Sequence, residues 1–193
     1  AIDANFFRAD IYHTKKEWAN ALSGYEPVAA QAPNRYAERA ILAAARIYFF
    51  EIKDYNKAEG YYAQLKQQSS TQENKLEAMR GLLRSQYQLQ KWSEATENAK
   101  ELTATKGSNN DDKALASMAI DRSYQVSRQY DQALASFKTV VQLNKAALAA
   151  EARYEIARSW FELNKLADAE KAAVEVINKS GSYDFWVGKA YVL

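Results

Sequence analysis

Cysteine is absent from the chain, which removes disulfides and thiolate metal ligation together. The single histidine, His13, leaves no second imidazole with which to build a zinc set, so no metal site is expected. Proline occurs twice and glycine six times in 193 residues; no Gly-rich phosphate loop of the G-x-x-x-x-G-K type can be read, and no cofactor is implied. The longest apolar stretch, "AILAAARIYFFEI", is interrupted by charge before it reaches the roughly 20 residues of a membrane span, so membrane insertion is not expected. Neither sign of charge dominates. The 26 Lys and Arg against 24 Asp and Glu leave a net charge of +2, too small for bulk attraction to nucleic acid, so any electrostatic function must be local.

What remains is the composition of a folded chain, with 48% hydrophobic and 12% aromatic residues. It starts at Ala1, shows no signal-peptide pattern and ends inside the apolar run "FWVGKAYVL", and so reads as a mature or excised piece of something longer. One pattern recurs: "KEWANALSGY", "KDYNKAEGYY", "KWSEATENA", "QYDQALASF" and "KLADAEKAA". In each, an alanine follows an aromatic or leucine by three residues, giving Trp18 and Ala21, Tyr55 and Ala58, Trp92 and Ala95, Tyr130 and Ala133, Leu166 and Ala169. The alanines are 37, 37, 38 and 36 residues apart. A period of that size means stacked supersecondary units, since one unit cannot bury its apolar face alone.

Apolar residues within a unit fall at helical spacing. Ile41, Leu42, Ala45, Tyr48, Phe49 and Ile52 make one stripe and Ile156, Ser159, Trp160 and Leu163 another, so each unit is a pair of helices. Pro33 marks a helix stop, Ser70 with Glu73 offers a capping box, Gly107 and the following Asn and Asp residues a C-cap and N-cap, and Gly181 a similar boundary. Eleven helices are expected, the first near Ala1 to His13 and the last a lone one from about Ser182. Units are placed near 1–33, 34–70, 71–108, 109–144, 145–181 and a partial 182–193, within one repeat domain.

These residues resemble tetratricopeptide (TPR) repeats, in which a two-helix unit carries an aromatic just before helix B, a small residue three later where the helices cross closely, and an aromatic four after that. Tyr55, Ala58 and Tyr62 fill those places, as do Trp18, Ala21 and Tyr25, and Tyr130, Ala133 and Phe137. Ala99 and Ala173 replace the later aromatic and Leu166 the earlier one, while the small residue of mid helix A survives as Ala9 and Ala157 but becomes Arg46, Leu83 and Asp121 elsewhere. The resemblance implies an all-α fold, a right-handed superhelix (α-solenoid) of about five TPR-like helix pairs plus a terminal helix, with a concave groove that cradles protein or peptide. Segments such as "QENKLEAMRGLLRSQYQLQKW" also resemble the long TPR arrays of bacterial cell envelopes, which implies a periplasmic or envelope setting; a cytoplasmic one stays open.

Phased from the alanines, one inward helix A column reads Asp10, Ile47, Arg84, Arg122 and Arg158, and the next His13, Phe50, Tyr87, Gln125 and Phe161; Arg80 and Tyr154 extend the same side. Guanidinium groups fork onto carboxylates and aromatics take apolar side chains, so this face suits an acidic or carboxylate-terminated segment. Exposed ion pairs contribute roughly 0.2–1 kcal/mol each, far from the roughly 8 kcal/mol of a micromolar complex. Arginine would set specificity while aromatics supply area. The bland alternative is that the column is solvated or paired internally with Glu77, Glu155 or Glu162. Catalysis is not expected, since His13 has only its helix neighbour Asp10 beside it in the sequence. Three function classes remain: a protein- or peptide-binding scaffold, a structural segment that self-associates through the repeat ends, and an RNA-binding array. For the last, the stricter period and stronger positive charge it needs are missing.

Overall fold

Eleven α-helices and one π-helical segment make up the regular structure of the chain, and there is no strand. The computed structural model describes residues 1–193 in two compact units, Ala1–Lys91 and Trp92–Leu193. The first holds α1 (Ile2–Thr14), α2 (Trp18–Ala30), α3 (Ala37–Arg46) running into the π segment Ile47–Ile52, α4 (Tyr55–Gln68) and α5 (Gln72–Gln88). In the second lie α6 (Trp92–Ala104), α7 (Asn110–Val126), α8 (Tyr130–Leu143), α9 (Ala147–Glu162), α10 (Leu166–Lys179) and α11 (Asp184–Val192). Within each unit every helix packs on its neighbour in sequence.

The repeat alanines are where helices cross. Ala21, Ala58, Ala95 and Ala133 are completely buried and Ala169 nearly so, because a larger side chain would hold the axes apart. The aromatics one turn on, Tyr25, Tyr62 and Phe137, fill the adjoining core, while Ala99 and Ala173 mark its thinner places. Gly24 serves the α1/α2 crossing: a Cβ there would lie 2.8 Å from that of Ala9 and 2.7 Å from the Asn5 carbonyl oxygen.

The turns that close α1, the π segment, α5, α7 and α9 share one conformation. Lys16, Lys53, Gln90, Arg128 and Asn164 are all left-handed, with φ between 56° and 62°. Their spacing of 37, 37, 38 and 36 reproduces that of the alanines. The Lys16 N–H donates to the His13 carbonyl and that of Glu17 to Tyr12, the crossed pair that closes a Schellman motif, and the pair recurs at Gln90 and Lys91, Arg128 and Gln129, Asn164 and Lys165. At the remaining turn the Asp54 N–H reaches back six residues to Tyr48 instead of five. The π segment absorbs that extra residue and keeps Lys53 in phase.

Several sequence expectations are corrected here. Thr71, not Ser70, caps α5, accepting from the Asn74 N–H at 3.2 Å. Glu38 of α3 takes the Ser70 N–H at 2.9 Å and the Asn74 side-chain amide at 2.7 Å, so this carboxylate from the preceding helix pair sets the boundary. Asn109 caps α7 in a full box with Asp112 after the left-handed Gly107, as its sequence suggests. Gly181 directly follows the C-cap Ser180 of α10 but is not left-handed, so it closes no such cap. Ile52 is exposed, carried outward by the π segment. Trp186 is half-buried against Tyr154, their ring centroids 5.6 Å apart.

Candidate functional site

The helix A columns meet different fates in the two units. In the second, α7 and α9 bring Arg122 and Arg158 onto one carboxylate, Glu155, which is 1% exposed. Arg122 Nη1 lies 2.8 Å from Glu155 Oε1, and Arg158 Nη1 3.5 Å from Oε2. Arg122 also donates to Gln125 Oε1 at 2.8 Å. The Gln125 amide in turn donates to Ser159 Oγ at 3.0 Å, and the Ser159 hydroxyl to the Glu155 carbonyl oxygen at 2.8 Å. Gln125 is therefore a buried bracket between α7 and α9, not a groove-facing side chain. The reason is local: its amide is satisfied by Arg122 on one side and by the Ser159 hydroxyl and the Glu155 backbone carbonyl on the other, so it can be buried.

Beside this network Tyr154 is nearly buried, and burial first, then the Glu155 charge, raises the pKa of its hydroxyl. Lys189 of α11 lies over the Tyr154, Phe185 and Trp186 rings at 5.3, 4.9 and 5.3 Å. Lys189 escaped the sequence reading because it falls in neither column; its place i+4 from Phe185 was the available signal. Two guanidinium groups and one ammonium against one carboxylate leave this face of the second unit net positive.

The first unit is built otherwise. Arg80 lies 4.0 Å from Glu77, which Arg46 of α3 also holds at 2.7 Å. Arg84, half-buried on α5, has no ion pair and acts on Tyr62 by its charge, while burial is the main cause that raises the Tyr62 pKa to about 12. Tyr87 is half-buried on α5 and Phe50 is 55% exposed on the π segment. Ile47 does not share the surface of the arginines; it is 1% exposed in the core. Asp10 accepts from the Tyr25 hydroxyl at 2.6 Å, and His13 Nδ1 lies 3.1 Å from that same oxygen, a chain that pins α1 to α2. Burial, then the Asp10 hydrogen bond, drive the Tyr25 pKa far above its ordinary value. Phe161, 46% exposed, lies apart from this chemistry and lines a groove between α10 and α11.

Successive helix pairs closed by one recurring turn, with alanine at each crossing, define an α-solenoid of the tetratricopeptide type. Solved structures agree. A MamA protein superposes with a TM-score of 0.71 at 16% identity, covering 93% of this chain and 92% of its own. YrrB, described as a TPR protein with an unusual peptide-binding site, gives 0.68 at 14%, covering 98% and 91%. Nearly identical TPR-like repeats assigned to a kinesin light chain of Podosopora anserina give 0.62 at 16%, covering 94% and 95%. At such identities the likeness is one of fold. No family model matches the chain, and no curated protein does.

Proposed function

We propose that the chain is a protein- or peptide-binding scaffold without catalytic activity of its own. Its partner would be an acidic or carboxylate-terminated segment docking along the helix A faces. The observation that carries this reading is the Arg122, Glu155, Arg158 network, in which one buried carboxylate holds Arg122 of α7 at 2.8 Å and draws Arg158 of α9 to 3.5 Å. Orienting them beforehand lowers the entropy lost when a ligand carboxylate arrives. Tyr154 supplies aromatic surface beside this network, and within the first unit Arg84 and Arg80 with Phe50 and Tyr87 offer charge and aromatic surface of their own. That YrrB is described as having a peptide-binding site adds support from a protein of the same fold.

The test is a peptide array of acidic, basic and free-carboxylate sequences probed with the wild-type chain and two variants. Reversing Arg122 or Arg158 beside Glu155 would disturb the fold, so the second-unit variant is Arg122→Gln, Glu155→Gln, Arg158→Gln, which keeps hydrogen-bonding groups and deletes the charges. Arg84→Glu tests the first unit. With circular dichroism showing intact helix, loss of carboxylate peptides in either variant supports the proposal. Unchanged binding in both refutes the role of the arginines.

A further inference from the structure

A groove of about 400 Å³ runs between α8 and α10 of the second unit, with α9 as its floor. Arg153, Ile156 and Trp160 form that floor, a different face of α9 from the one that carries Tyr154, Arg158 and Phe161. Ile156 and Trp160 make its apolar part, with Val141 of α8 and Ala172 of α10 as walls. At roughly 30 Å³ per water the space equals about a dozen waters, room for one or two rings but not for a helix.

The charge around it is unbalanced. Arg153 of α9, Lys138 of α8 and Lys171 of α10 border the groove, and none of them has an ion pair. Glu175 borders it too but is held by Lys179 at 2.6 Å, which leaves Asp168, in the first turn of α10, as the one uncommitted carboxylate against three cations. Arg153 is half-buried, its Nε is closed off from solvent without an acceptor, and its side chain makes one long hydrogen bond, from Nη1 to the Ser180 hydroxyl at 3.4 Å. One repeat earlier the same place on α7 holds Ser117, so the repeat itself does not require a guanidinium there. A part-buried cation without a carboxylate is costly, and an anion in the groove offsets that cost.

We propose that this groove binds a small organic acid, its carboxylate on the Arg153 guanidinium with Lys138 and Lys171 beside it, and its ring-sized apolar body against Ile156 and Trp160. The fork of Arg153 fits a carboxylate in two hydrogen bonds, and the indole of Trp160 favours an aromatic body. The site shares no residue with the arginine face proposed above, so either proposal can fail alone.

Isothermal titration calorimetry with β-naphthoate as the probe tests it, against the neutral isostere β-naphthylmethanol. The wild-type chain is compared with Arg153→Gln, with Lys171→Glu at an exposed position, and with the Gln triple variant of Arg122, Glu155 and Arg158; circular dichroism checks each fold, and Lys171→Glu and the neutral isostere keep the test open if Arg153→Gln unfolds. The expected result is a single-site naphthoate complex, weaker by about tenfold or more for the neutral isostere and for Arg153→Gln, weakened in Lys171→Glu, and unchanged in the triple variant. The indole N–H resonance of Trp160, identified by its loss in Trp160→Phe, should move on titration. No binding up to about 1 mM overturns the proposal, as do equal binding of the neutral isostere, wild-type affinity in either folded variant of the groove, a Trp160 resonance that does not move, and loss of binding in the triple variant.

Discussion

Replacing Asp121 by alanine should stabilise the second unit by an amount that grows with pH. The carboxylate lies in the middle of α7 at 0% exposure, and neither oxygen has a partner in hydrogen-bonding geometry, the Ser136 hydroxyl of α8 lying near without closing a bond. Burial pushes its pKa up to about 8, with Ser136 on α8 offsetting only part of the effect. An unfolded aspartate titrates near 3.9. Between those two values the folded chain holds a proton that the unfolded chain has released, so stability falls as pH rises, by about 1.4 kcal/mol per pH unit, and levels off above the folded value. At pH 7 the loss relative to pH 4 is about 4 kcal/mol.

Alanine is what the equivalent positions hold at Ala9 and Ala157, both completely buried, so the backbone there accepts it. Any cavity left by the missing carboxyl costs on the order of 1 kcal/mol and does not depend on pH. Urea unfolding followed by circular dichroism at pH 5, 7 and 8.5 gives the difference between variant and wild type, in which all other titrating groups cancel. That difference should widen steadily from pH 5 to 8 and then stop. A difference that is constant with pH would refute the reasoning, because it would mean that Asp121 is ionised or partnered in the folded chain.

Gly81→Ala should destabilise the first unit by roughly 1–3 kcal/mol in a urea titration, since its Cβ would lie 2.2–2.4 Å from atoms of the buried Tyr62 ring and α4 and α5 would have to part. Arg128→Gly should raise stability by roughly 0.5–1 kcal/mol, the left-handed penalty of a side chain at φ 57° outweighing glycine's extra freedom in the unfolded chain. An unchanged or lower thermal midpoint would count against that strain. Glu155→Ala should cost about 3 kcal/mol by leaving two part-buried guanidinium groups without their carboxylate, whereas Glu155→Gln combined with Arg122→Gln and Arg158→Gln should lose less. If both lose the same, the pairing does not hold α7 to α9.

The fold was legible because its closest contacts need particular residue types. Only alanine or glycine lets two helices cross at Ala21, Ala58 or Ala133, and that demand writes the period into the sequence. The turns were less readable. Lys16, Gln90 and Arg128 are not residues that signal a left-handed conformation, and they adopt it because the helices on either side fix the closure. The π segment left no signal, for its cause is one extra residue between Ala37 and Lys53 and not any residue type. Ser70 misled because its N–H is taken by Glu38 from the preceding pair, a contact no local window contains. In the candidate site the arginines were found by register, and Glu77 and Glu155, named as internal partners, do pair with Arg80 and with Arg122 and Arg158, but register says nothing of burial. Ile47 and Gln125 share the register and are buried, one by a π turn and the other by a hydrogen-bond network.

The partner Glu155 changes what those arginines can do. A free guanidinium offers a ligand its full charge but is held by nothing; one paired to a buried carboxylate is fixed in place and already partly neutralised. A carboxylate arriving at Arg122 or Arg158 must share donors with Glu155, so its gain in charge interaction is smaller than at Arg84, which has no ion pair. Orientation works the other way. Unpaired Arg84 loses more side-chain freedom on binding, on the order of 0.5–1.5 kcal/mol for such a residue. On the proposed reading the second unit would discriminate by geometry, favouring ligands whose carboxylate matches the placement of Arg122 and Arg158, and the first would attract by charge. On that division Arg84→Glu should lower affinity for all acidic peptides and steepen no preference among them, while the Gln triple variant should flatten the preference for a terminal over a side-chain carboxylate. The reverse pattern on the array would mean that Glu155 serves only to hold α7 against α9.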